Sequence, residues 1–178
     1  INLSFSQIKP ICNEKKIKEQ KAKQGMSPEK LSLFLAKEKA KSVSKKNNKK
    51  LVVGSDTIIE LNGKIINKAS SLKKAEKKIK TLSGKKHNIF SSAAAYYDNK
   101  LVWCKTQKSV VKIRNMSEKD IKSYLKISGK SILHSVGCYQ IERGGPTIIE
   151  NIKGDFFNVM GFPLFPFLFF LNKFSIKK

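Results

Sequence analysis

LVVGSDTIIELNGKIINK, residues 51–68, decides how this chain is read. Leu51-Val52-Val53 has the apolar, β-branched content of a buried strand. Gly54-Ser55 follow, so Asp56 is expected where that strand ends. Thr57 to Leu61 and Lys64 to Ile66 then flank Asn62-Gly63. Asn-Gly between two β-prone runs predicts a tight hairpin, because both residues tolerate the positive φ of a type I′ turn. A carboxylate is thus expected at the mouth of a buried strand, with a hairpin returning the chain to present Lys68. Strand-end carboxylates in α/β proteins commonly face a ligand crevice. From spacing alone the simpler reading is a local turn cap at Asp56 and an ordinary surface lysine at Lys68.

Outward from this stretch, Leu3 to Ile11 reads as a short strand, and Asn13 to Gln24 as a loop or loose helix carrying Glu14. Ser27-Pro28-Glu29 is a helix start, with a capping serine and proline at the first helical position. Leu31, Phe34, Leu35, Lys39 and Val43 keep helical spacing to about Ser44. Lys39 lies beside the apolar stripe, where a lysine's ordinary course is to snorkel. Ser70 or Ser71 caps a helix with Leu72, Ala75, Ile79 and Leu82 on its apolar face, stopped near Gly84. His87 to Tyr97 and Lys100 to Ile113 form a long hairpin about Asp98-Asn99. Ser117 with Asp120 opens a third helix. Ser128-Gly129-Lys130-Ser131 resembles the tail of a phosphate-binding loop, but Tyr124 stands where that motif needs glycine, so it is rejected. Thr147 to Ile152 is strand-like. Val159 to Leu171 is apolar, contains Pro163 and Pro166, and is short of the ~20 residues that span a bilayer. It is expected to be a buried terminal helix.

The 178 residues suit one domain with an ample core. The net charge is +24, yet only Arg114 and Arg143 among the 37 basic residues are arginines. Nucleic-acid readers favour arginine for bidentate contacts, so nucleic-acid binding is a minority reading. The charge favours polyanionic ligands such as nucleoside triphosphates. Cys12, Cys104 and Cys138 are odd in number and scattered, which argues against zinc or a disulfide framework and for a reducing cytoplasm. No catalytic triad pattern exists around His87 or His134, so a general base would be a carboxylate. Glu14, Asp56, Glu142 and Asp155, with Lys39 and Lys68, suit phosphoryl chemistry. Carboxylates would hold a divalent metal, and lysines would neutralise polyphosphate.

The ordered segments KEKAKSV (37–43), VVGSDTIIELNGKIINK (52–68), LKKAEKKIKTLSGKKHNIFSSAA (72–94), SVGCYQIE (135–142) and IKGDFFNVMGFPL (152–164) together resemble the Maf family of nucleoside triphosphate pyrophosphatases. The resemblance spans nearly the whole chain. It implies an α/β fold with a mixed, elongated sheet, flanking helices and two lobes around a central cleft. It also implies Mg²⁺- or Mn²⁺-dependent cleavage of a standard or modified nucleoside triphosphate to monophosphate and pyrophosphate. Carried over residue by residue, Asp56 is the metal ligand or water activator, and Glu14 its metal partner. Lys39 and Lys68 contact phosphate, and Glu142 faces the substrate.

The family's S-x-S-x-R-R loop has no counterpart after Ile1. The expectation is a single domain over 1–178 without the family's N-terminal strand and phosphate loop, and an inactive fragment in that case. Many members carry an Asp-Lys pair and a glutamine where this chain has His134-Ser135 and Glu142, so the family's pyrimidine preference is not carried over. The alternative role is a non-enzymatic interaction protein affecting division, or a basic protein binding nucleic acid without sequence preference. No membrane association is expected, and a homodimer is left open.

Overall fold

The computed structural model describes residues 4–174. Five strands form one sheet in the order β2-β1-β3-β4-β5, antiparallel at every pairing. They are β1 (Val52–Leu61), β2 (Lys64–Ile66), β3 (Lys86–Tyr97), β4 (Lys100–Ile113) and β5 (Ile149–Lys153). Among the described residues six α-helices flank the sheet: α1 (Glu14–Lys23), α2 (Pro28–Ser44), α3 (Leu72–Leu82), α4 (Glu118–Ser128), α5 (Phe156–Met160) and α6 (Leu164–Lys173).

Both hairpins form where the sequence places them. Asn62 and Gly63 have φ of 50° and 79°, and Asp98 and Asn99 have φ of 47° and 60°, the paired positive values of type I′ turns. Ser27, Ser71 and Ser117 cap α2, α3 and α4, and Ser117 with Asp120 completes a capping box.

Three expectations change. First, β1 does not stop at Gly54-Ser55. It runs unbroken from Val52 to Leu61, so Asp56 lies mid-strand, paired with Ser92 of β3. Gly54 serves packing there, not chain reversal. A Cβ on it would lie 2.6 Å from the Ala40 nitrogen and 2.7 Å from the Ala36 oxygen, so the α2 backbone rests directly on the strand. Second, residues 4–11 form no strand, and Phe5, Ile8 and Ile11 are exposed. Leu3 lies outside the described residues. The polar stretch after them is a helix, α1. Asn13 caps it, Glu14 sits in its first turn and Lys21 and Lys23 in its last, which complements the helix dipole. Third, the terminal segment is helical but not buried. Pro163 divides it into α5 and α6, and no residue of α6 is fully buried. One side of α6 stacks Phe170 and Phe167 on Trp103 of β4, while Phe165 and Phe169 face outward.

The core has two parts joined by the sheet. Leu31, Leu35, Ala36 and Ala40 of α2 pack on Ile58, Ala94 and Tyr96. A larger cluster packs α3 and α4 against Ile59, Ile89, Val111 and Ile113, with Tyr139 and Ile148. β1 contributes to both, and the cleft opens between them.

Candidate active site

The alternation of β1 turns Gly54, Asp56 and Ile58 toward α2. Because α2 sits on Gly54, Lys39, which precedes Ala40, is brought against Asp56. Lys39 Nζ donates to Asp56 Oδ1 at 2.6 Å and pairs with Glu14 Oε2 at 2.9 Å. Asp56 is 8% exposed. Its Oδ2 has no hydrogen-bond partner among the described residues.

The electrostatics of this trio follow from burial and contact. Burial pushes the Asp56 carboxyl above the ordinary carboxylate value, and the charge and hydrogen bond of Lys39 only partly oppose it. For Lys39, burial disfavours the charge, but attraction to Asp56 and bonds to Asp56 and Glu14 outweigh it. The ammonium is held above its usual value. The lysine beside the apolar stripe is therefore an ion-pairing residue at the cleft, not a snorkelling one.

The cleft has a volume of about 830 Å³ and is bounded by α1, β1, the β2–α3 connection, residues 134–142 and the end of α5. Lys68 and Glu142 both line it, exposed on its walls, without touching the trio. Asp155 does not line it. Its Oδ1 instead accepts from the Asn158 N–H at 2.8 Å, capping α5. Of the six sequence candidates, three therefore meet in direct contact, two share the cavity and one is structural.

Supporting residues lie around the trio that sequence reading did not single out. Thr57 donates to the Gly161 carbonyl at 3.2 Å, and Ser91 donates to the Asn158 carbonyl at 2.7 Å. These bonds fasten the GDFFNVMG segment to β1 and β3, placing Val159 to Gly161 on the cleft wall. Tyr139 lines the other wall, and its Oη lies 2.6 Å from Nε2 of buried His87 behind it. Burial lowers His87 to about 4 and raises the Tyr139 phenol, so both are neutral. Lys18 of α1 also lines the cavity. The spacing Glu14 to Lys18 signals a shared helical face, but only once residues 13–24 are known to be a helix.

Among the described residues no group of three His, Cys, Asp or Glu is arranged to hold a metal. Asp56 and Glu14 supply two carboxylates within reach of one Lys39 ammonium. Magnesium sites commonly use one or two carboxylates and complete the shell with substrate phosphates and water. The two carboxylates, Asp56 and Glu14, fit that kind of shared site, and do not form a closed protein cage. Among the described residues no helix is long and apolar enough to cross a membrane.

A family model described as Maf-like protein matches residues 2–174. The 7-methyl-GTP pyrophosphatase of Bartonella quintana is 41% identical over 150 residues, covering 84% of this chain and 76% of the relative. The nucleoside triphosphate pyrophosphatase of Bradyrhizobium diazoefficiens is 35% identical over 170 residues, covering 96% and 83%. The 7-methyl-GTP pyrophosphatase of Rhizobium meliloti is 30% identical over 166 residues, covering 93% and 83%. With the α/β architecture, the Asp56 hairpin strand and the cleft beside it, these matches establish that the chain belongs to the Maf family.

Proposed function

We propose that this chain is a nucleoside triphosphate pyrophosphatase, a hydrolase of the bond between the α- and β-phosphates. The observation that carries this is Asp56. It is a buried carboxylate with one oxygen held by Lys39 and the other free, at the side of a cleft lined by further lysines. Hydrolysis adds water across the Pα–O–Pβ bridge and yields a monophosphate and pyrophosphate. Asp56 Oδ2 takes the proton from the attacking water. Its burial above the usual carboxylate range makes it a better base than an exposed aspartate. Lys39 holds Asp56 in orientation and offsets charge developing on the phosphate oxygens, and Lys68 meets the polyphosphate from the rim. Held by Glu14 and the phosphates beside Asp56, Mg²⁺ or Mn²⁺ would polarise the phosphoryl oxygens and leave Asp56 Oδ2 to the water.

Glu142 and Glu19 place carboxylates on the cleft wall. Two of the relatives above are named for 7-methyl-GTP, whose methylated purine carries a positive charge. A cationic or otherwise modified purine is therefore the base we propose. The three cysteines are unpaired, which supports a cytosolic protein. The ordered catalytic contacts favour the enzyme over a binding-only role.

The test is a panel of standard and modified triphosphates with Mg²⁺ or Mn²⁺ and analysis of both products. Equal release of monophosphate and pyrophosphate is expected, with 7-methyl-GTP turned over faster than GTP. Glu142→Gln is expected to narrow that preference. Release of inorganic phosphate alone, or no product from any triphosphate, would overturn the proposal.

A further inference from the structure

α1 carries into the cleft a lysine to which the motifs assign no role. Lys18 stands one helical turn beyond Glu14, on the same face, and both line the cavity. Glu14 is turned to Lys39, not to Lys18. Among the described residues Lys18 makes no hydrogen bond or ion pair. It is half-buried, unlike most lysines of this chain. Burial draws its ammonium below the ordinary value, and the nearby charges of Asp56 and Glu14 only partly restore it.

Lys68 reaches the same cavity from the β2–α3 connection, and its like charge further disfavours that of Lys18. The Lys39 ammonium occupies both carboxylates, Asp56 and Glu14, at ion-pair distance, so neither is paired with Lys18 or Lys68. Lys18, half-buried and without a partner, and the exposed Lys68 on the same cavity form an arrangement that an anion entering between them would stabilise. The cavity is large enough for a nucleotide, and a polyphosphate is the part of one that carries several adjacent negative charges.

We propose that Lys18 is a further phosphate-binding residue, which with Lys68 grips the pyrophosphate portion of the triphosphate. The inference rests on the triphosphatase reading of the cleft. The lysines then have separate roles. Lys39 serves Asp56 and the reacting phosphate, while Lys18 and Lys68 serve the leaving group. α1 becomes a wall of the substrate site and not a surface decoration.

The proposal is tested by calorimetric titration of the full chain with pyrophosphate and, separately, with a nucleoside monophosphate. Lys18→Gln is expected to weaken pyrophosphate binding about tenfold, the loss of one charge-assisted contact. It should leave monophosphate affinity unchanged. Lys18→Arg should restore most of the loss. Lys16→Gln, on the same helix but outside the cleft lining, should match wild type. A residue that merely packs α1 would lower both affinities together or neither, and either outcome overturns the inference. If wild type hydrolyses triphosphates while Lys18→Gln binds pyrophosphate normally, this inference alone falls. If wild type neither binds pyrophosphate nor hydrolyses any triphosphate, the proposed function falls and takes this inference with it.

Discussion

Two contacts of the same length, 2.6 Å, border the cleft and do opposite work. Lys39 to Asp56 is an ion pair. His87 to Tyr139 is a neutral hydrogen bond. Both lie where water is largely excluded, and desolvation is the leading influence on all four groups. In the first pair opposite charges resist it, so Lys39 stays ionised, and one oxygen of Asp56 remains free. In the second nothing comparable resists, so both rings stay neutral and close on each other. Fold stability alone accounts for His87 and Tyr139, which tie β3 to the loop bearing Glu142. It does not account for a buried charge cluster, which is weak evidence of stabilisation at best. The difference separates the reacting side of the cleft from its scaffold.

Removing a charge from the first pair should have the largest effect. Lys39→Met leaves Asp56 beside Glu14 with no directly bonded counter-charge, and Lys18 as the nearby cation. Turnover is expected to fall by on the order of 10²–10⁴. Stability should drop by about 2 kcal/mol, less than for a sealed pair because Lys39 is partly exposed and Asp56 can take up a proton. Steady-state kinetics beside urea denaturation would check both. Wild-type turnover in this variant would erase the contrast.

The second pair predicts a pH effect on stability. His87 is depressed from 6.5 to about 4 on folding, so the unfolded chain binds its proton more readily. The stability this represents is complete above pH ~6.5 and is lost as pH falls through about 4. The full span is about 3 kcal/mol. Denaturation midpoints from about pH 7 to about pH 4 should decline accordingly. His87→Gln, with nothing to titrate there, should flatten that decline whatever it does to stability at neutral pH.

A smaller effect is expected where the fold sets the geometry of the first pair. Gly54→Ala introduces a Cβ into the α2 backbone, which must move. A cost of about 1–3 kcal/mol is expected, with reduced turnover as Lys39 shifts from Asp56. A crystal structure of the variant would show the Lys39–Asp56 distance lengthened. An unchanged distance with wild-type kinetics would remove Gly54 from the account.

Gly54 also marks where sequence reading reaches its limit. Glycine and serine before an aspartate look like the end of a strand, because local propensity cannot register a helix from another part of the chain lying on that backbone. The hairpins at Asn62-Gly63 and Asp98-Asn99 and the caps at Ser27, Ser71 and Ser117 are legible, since each is decided by two to four adjacent residues. Lys39 is legible as an anomaly on an apolar stripe, and the family resemblance gives it a destination. Lys18 is not, because its role depends on α1 being a helix, and a lysine-rich stretch has no apolar periodicity to say so. The exposure of α6 escapes for the converse reason. Phe-rich composition predicts burial, but the packing of Phe167 and Phe170 on Trp103 covers one side and leaves Phe165 and Phe169 largely exposed. Asp155 shares its residue type with the site and nothing else, since the glycine before it and Asn158 after it make it a cap.

Asp56 is the centre of the account. The decisive measurement is pyrophosphate release from triphosphates by Asp56→Asn, made beside thermal melts of the same protein. Asparagine is nearly isosteric, leaves Lys39 its bond to Glu14, and removes a carboxylate whose ionisation burial opposes. Folded-state protonation of Asp56 is favoured, so its contribution to stability is present below the unfolded carboxyl value and lost above the folded one. At neutral pH the variant should therefore be as stable as wild type or slightly more so, with turnover lower by on the order of 10²–10⁴. A fully folded Asp56→Asn protein that releases pyrophosphate at close to the wild-type rate would contradict it.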